Sequence, residues 1–172
     1  MNLTYETVND LIRYDPDTGV VTWKRRDHGA HMHSFNYMRA GKPAGSLSQW
    51  GYIKIKLRGR MYLAHRLGWL LTTGSWPASM LDHIDGNGLN NRFNNLRLAT
   101  ACQNRANSKV SVTNTSGAKG VSWNSQRRKW HAQICCEGRI LYLGCFDELE
   151  MAANAYQDAA IKHFGEFRRA AP

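Results

Sequence analysis

"LDHIDGNGLNNRFNN", residues 81–95, decides how this chain is read. An apolar run ends in Asp82-His83, and the residues from Asp85 to Asn95 include Asn87, Asn90, Asn91, Asn94 and Asn95. Asparagine builds cores and strands poorly, but its amide ties loops to their own backbone. "MLDHI" (80–84) and "LRL" (96–98) on either side therefore read as two short strands, with Leu96 and Leu98 inward and Arg97 outward. Thr100 and Gln103 then make a capping-box pattern, so a helix begins near Ala101 with Asn104 just past its first turn.

Asp82 supplies a carboxylate oxygen and Asn104 an amide oxygen, the donors a hard cation such as Mg²⁺ takes while keeping several waters. His83, neutral near pH 7, is suited to take a proton from an attacking water. Asn95, at the start of the second strand, is placed to bridge the loop and hold the histidine. Asp85, Asn87, Asn90, Asn91 and Asn94 read as loop architecture.

The string 81–107, "LDHIDGNGLNNRFNNLRLATACQNRAN", resembles the HNH endonuclease motif in the variant found in phage and intron-borne nicking or homing endonucleases. "YDPDTGVVTWK" (14–24) and "AHRLGWLLTTGSWP" (64–77) share the likeness. The resemblance implies a ββα-metal fold and cleavage of phosphodiesters with one divalent ion, Mg²⁺ before Mn²⁺. It assigns His83 as the general base, Asn95 as the middle asparagine, and Asp82 and Asn104 as metal ligands. It also implies a phage or mobile-element gene acting in the cytoplasm of a bacterial host.

The totals agree with a nucleic-acid partner. The chain has 172 residues and a formal net charge of +10, most of it within 1–109. No apolar run approaches the roughly 20 residues of a membrane span, and the N-terminus lacks a secretory pattern. The four cysteines form no C-x-x-C pair and read as free thiols.

Elsewhere in the first part, a short helix is expected near 4–13 with Thr4 as cap, a turn at 15–19 and a strand at 20–24. Residues 27–48, with His28, His31 and His33, read as a long loop. "YIKIKLRGRMYLAH" (52–65) is a hairpin whose outer face carries Lys54 and Lys56, with Arg58 in the turn. Those cations suit a phosphate backbone and equally suit solvent. A buried helix over 65–74 ends at Gly74.

After a polar stretch the pattern becomes three alternating runs, near 119–124, 129–136 and 139–144, then a helix opening with Asp147 and Glu150 and ending at Gly165. Trp123 and Trp130 read as core. "GVSW", "KWHAQI" and "LGCFDELEMAANAYQDAA" resemble the AP2 DNA-binding domain, which implies a sheet laid in the major groove. Ser122, Asn124, Gln133 and Tyr142 are then the outward base-edge candidates, and Lys119, Arg127, Arg128, Lys129 and Arg139 the cations beside them, with Arg97 added from the first part.

The expectation is an α+β chain in two domains. An HNH nuclease domain spans 1–108, a linker 109–118, and an AP2-like three-stranded antiparallel sheet with one helix 119–172. The partner is duplex DNA, with no membrane and no small-molecule cofactor. A single base and metal serve one strand at a time, which favours a nicking monomer. The rival is a DNA-binding regulator with an inert HNH fold, and a third reading is an RNA nuclease.

Overall fold

A computed structural model describes residues 3–27, 29 and 31–169. His28 lies outside the described residues. The chain divides into two compact units, Met1–Leu98 and Ala99–Pro172. Both mix helix and sheet, so the α+β class holds.

In the first unit α1 (Tyr5–Leu11) is capped by the Thr4 hydroxyl, which accepts from the Thr7 amide. β1 (Ile12–Tyr14) pairs antiparallel with β2 (Val21–Trp23) across a turn in which Asp15 Oδ1 accepts from the amides of Asp17 and Thr18. The segment expected as a long loop instead holds α2 (Met32–Arg39) and β3 (Ser46–Leu47). Tertiary contacts fix that helix where local propensity gives no signal. The Phe35 ring meets Trp23 edge-on at 5.7 Å, and the Asn36 amide both accepts from the Arg26 N–H and donates to the Arg26 carbonyl at 2.8 Å.

β3, β4 (Ile53–Leu57) and β5 (Arg60–Leu63) form an antiparallel sheet in that order. Alternation turns Ile55 and Leu57 into the core and leaves Lys56 outside. α3 (Ala64–Thr73) follows and stops at Gly74, whose φ of 78° is the left-handed conformation that suits glycine. Val8, Ile12, Ile55 and Leu67 are fully buried at the centre of this core. Each contributes about 2 kcal/mol relative to an exposed side chain.

β6 (Met80–His83) pairs with β7 (Leu96–Ala99). Here the expected alternation fails: Leu96 is buried but Leu98 is 41% exposed, and the Arg97 side chain is only 13% exposed. Arg97 turns in because a buried carboxylate, Asp82, draws its guanidinium.

The second unit begins with α4 (Ala101–Asn107), whose capping box is formed by Thr100 and Gln103 as the sequence predicts. β8 (Val121–Asn124), β9 (Lys129–Cys136) and β10 (Arg139–Phe146) form an antiparallel sheet in the order β10-β9-β8, and α5 (Leu149–Phe164) packs on it. The core gathers Ala106 of α4 with Val121, Ala132, Ile134, Ala152 and Tyr156. The contact division therefore falls at 98/99, ahead of the expected domain end at 108, because Ala106 packs with the later strands. Two smaller expectations are corrected. Asp147 does not cap α5 but pairs with Lys129 at 3.2 Å, and Trp123 is 47% exposed, edge-on to Trp130. The loop over 109–120 is held by side chains rather than slack. Asn114 Nδ2 and Ser116 Oγ both donate to the Ala118 carbonyl, at 3.0 Å each.

Candidate active site

The asparagine-rich loop closes on itself around Asp85. Asp85 Oδ1 accepts from the Asn87 amide and from Asn95 Nδ2, and Oδ2 accepts from Asn90 Nδ2. Partial burial pushes the Asp85 carboxyl up, but these donors outweigh it and hold the group below the usual carboxylate value. Asn95 completes the circuit: Oδ1 accepts from the Asp85 N–H, and Nδ2 also donates to the Asn90 carbonyl. The expected bridge is there, and it bridges the loop to itself.

The amide that meets the His83 ring belongs to Asn91, with 3.1 Å between Nε2 and Oδ1. Asn91 is buried, and its carbonyl accepts from the Tyr14 hydroxyl at 2.6 Å. Burial, then Asp15, pushes that hydroxyl up to about 12. Two glycines make this contact attainable. A Cβ at Gly68 would stand 2.7 Å from the Tyr14 ring, and one at Gly19 would stand 2.4 Å from the Asn91 carbonyl carbon. Sequence reasoning placed Asn91 with the loop scaffold. The register of the loop, which decides which amide faces the histidine, is set by these distant contacts.

Three rings surround the same point. His65 of α3 stands edge-on to His83 with centroids 4.8 Å apart, and Tyr52 lies 5.6 Å from His65 and 5.9 Å from His83. Burial, then the protonated form of His83 and the Arg66 guanidinium, lowers His65 to about 3, so it is neutral at ordinary pH. His65 thus packs against the proposed base.

Asp82 is buried one residue before His83 on β6. Nε and Nη2 of Arg97 both reach its Oδ2 at 2.9 Å. A carboxylate has two oxygens and can share them between a guanidinium and a hard cation. The Asp82 carboxylate and the Asn104 amide are oxygen donors of the kind Mg²⁺ takes, and Asn104 sits on α4 in the second unit. Among the described residues there is no cluster of three or more His, Cys, Asp or Glu side chains able to hold a metal.

The proposed DNA contacts are distributed over both units. In the first, Lys56 and Arg58 are exposed and Lys54 half-buried, and Arg58 turns the hairpin at φ 44°. In the second, Ser122, Arg127, Arg128 and Arg139 are exposed, and Asn124 Oδ1 accepts from the Arg127 amide. Gln133 stands opposite Tyr142 across the ladder, and Tyr142 stacks on His131 with centroids 5.1 Å apart. Three of the cations are engaged elsewhere, Arg97 with the buried Asp82 and two in the second unit. Lys129 pairs with Asp147 on the surface, and Lys119 donates to the carbonyls of Arg105, Ala106 and Ser108 at 2.6–2.8 Å, closing the C-terminal end of α4. Burial, then Arg169, lowers the Lys119 ammonium to about 8.

Among the described residues, no helix is long and apolar enough to cross a membrane. A family model described as HNH endonuclease matches residues 62–106. Protein 3.8 of Escherichia phage T7 is 39% identical over 102 residues, which cover 59% of this chain and 84% of that protein. A protein of Acanthamoeba polyphaga mimivirus named "Uncharacterized HNH endonuclease L560" is 36% identical over 110 residues, 63% of this chain and 56% of that one. No solved structure matches significantly.

Proposed function

Because the chain belongs to the HNH endonuclease family, we propose that it hydrolyses phosphodiester bonds in duplex DNA with a divalent metal, Mg²⁺ by preference, and cuts one strand at a time. The observation that carries this reading is the seating of His83: a ring on the strand end beside Asp82, with Nε2 against Asn91 Oδ1 and a face against His65.

Asn91 Oδ1 lies within hydrogen-bond distance of His83 Nε2 and would fix the ring's orientation as it takes a proton from water. Asp82 and Asn104 would hold the cation, which stabilises charge on phosphate and leaving oxygen. Asn95 keeps the loop closed, so that Asn91 and thereby His83 stay in register. Arg97 neutralises the Asp82 carboxylate within the protein.

The part over 119–172 would position the enzyme on duplex DNA in the AP2-like manner, with 1–108 as the catalytic part. Support comes from its three-stranded antiparallel sheet with one helix. Its outer face offers Ser122, Asn124, Gln133 and Tyr142, with Arg127, Arg128 and Arg139 at the ends of the strands. Lys54, Lys56 and Arg58 would meet phosphates from the first unit. A DNA-binding regulator with an inert site is the rival, and the Arg97–Asp82 pair is the observation in its favour. One assay separates the two. Supercoiled plasmid incubated with Mg²⁺ should accumulate the open-circular form, and EDTA should stop it. Plasmid that is bound and never nicked would favour the regulator.

A further inference from the structure

We propose that the first unit carries a second, dedicated seat for the backbone of duplex DNA, in the groove that α2 makes beside the outer face of β4. The inference rests on the reading of DNA as substrate and adds Arg26 and Arg39, which neither the motif nor the hairpin pattern brings forward.

The groove has a volume of about 630 Å³ and draws four cations, Arg26, Arg39, Lys54 and Lys56, with no acidic side chain among the residues that line it. Among the described residues, none of the four is in a salt bridge. Four like charges held together unneutralised oppose the folded state, and a polyanion relieves that opposition. Lys54 and Lys56 alternate onto one face of β4, about 7 Å apart along the strand, so they meet successive charges rather than one small anion.

Arg26 is set in place. Its guanidinium carbon lies 3.6 Å from the Phe35 ring centroid, and its N–H and carbonyl are both bonded to the Asn36 amide. A guanidinium stacked on a ring keeps its in-plane N–H donors for phosphate oxygens, and the ordering is already complete before DNA arrives. The adjoining cleft shares Arg26 and Lys56 and adds Arg25 and Arg58 together with Asp10 and Asp27. The unneutralised charge is therefore on the α2 side. Helix α2 supplies both Arg39 and the Phe35 platform, which gives this segment a task the motif does not ask of it.

The test measures affinity of the full chain for a 30-base-pair duplex by fluorescence anisotropy in EDTA, over a series of salt concentrations. Binding is read without cleavage, so loss of the nuclease reading and loss of this one give different results. Arg26→Gln with Arg39→Gln should lower affinity about tenfold at 0.1 M salt and reduce the salt slope by about 2, one phosphate contact per cation. The control, Arg13→Gln with Lys162→Gln, removes the same charge from exposed positions outside the groove and should change affinity less than about twofold. If urea unfolding shows that Arg26→Gln loosens α2, Arg39→Gln with Lys56→Gln tests the same groove through two exposed side chains. An effect no larger than the control's, or an unchanged salt slope, overturns the proposal.

Discussion

Arg97 and Asp82 set the conditions under which the site can hold a cation. Both side chains are largely shielded from water, so removing one strands the other's charge. Arg97→Ala should destabilise the protein by about 3 kcal/mol in EDTA, and millimolar Mg²⁺ should restore part of that loss by replacing the missing positive charge. Equal urea midpoints with and without Mg²⁺ would place the cation elsewhere. His65 gives a pH signature. Its folded pKa of about 3 lies below the unfolded value near 6.5, so the unfolded chain binds the proton first. Its contribution is whole above pH 6.5 and is lost as pH falls toward 3, at up to about 1.4 kcal/mol per pH unit. His65→Phe keeps a ring beside His83 and should flatten that part of the stability profile; an unchanged slope would show that His65 is not the group responsible. At this scale the sequence singles out Asp82, His83 and Asn104 as candidates because their spacing resembles a motif. It was not legible for Asn91 or Arg97, whose roles depend on which neighbour folds back onto them.

Strand β7 and helix α4 show why single elements mislead. "LRL" has the alternation of a half-buried strand, yet the ion pair to Asp82 turns the arginine in and leaves Leu98 out. The capping box of α4 is local and was read correctly, down to the Thr100 and Gln103 partners. Its other end depends on a lysine far along the chain. Lys119 satisfies three carbonyls there, so Lys119→Met should lower stability by about 2 kcal/mol. Hydrogen exchange should quicken at the end of α4 first, and protection equal to the wild type would contradict this capping. Helix α2 was illegible for the same kind of reason. Its fixed points are Trp23, Arg26 and Asn36, two of them outside the polar, histidine-rich run 27–48, which by itself favours no element.

For the whole molecule the sequence yielded the α+β class and, outside 27–48, the order of the main elements, because those follow from periodicity and composition. The boundary between the parts did not follow, since Ala106 joins a core made mostly of later residues. A fragment ending at 108 should therefore fail to cleave as well as bind DNA more weakly, because α4 loses the core it packs in and Lys119. A fragment that cuts at the full chain's rate would show that α4 needs neither. The most direct measurement compares wild type with His83→Ala on supercoiled plasmid in Mg²⁺, with duplex affinity measured on the same preparations. The account predicts nicking slowed by at least about a hundredfold at nearly unchanged affinity; undiminished nicking by His83→Ala would contradict it.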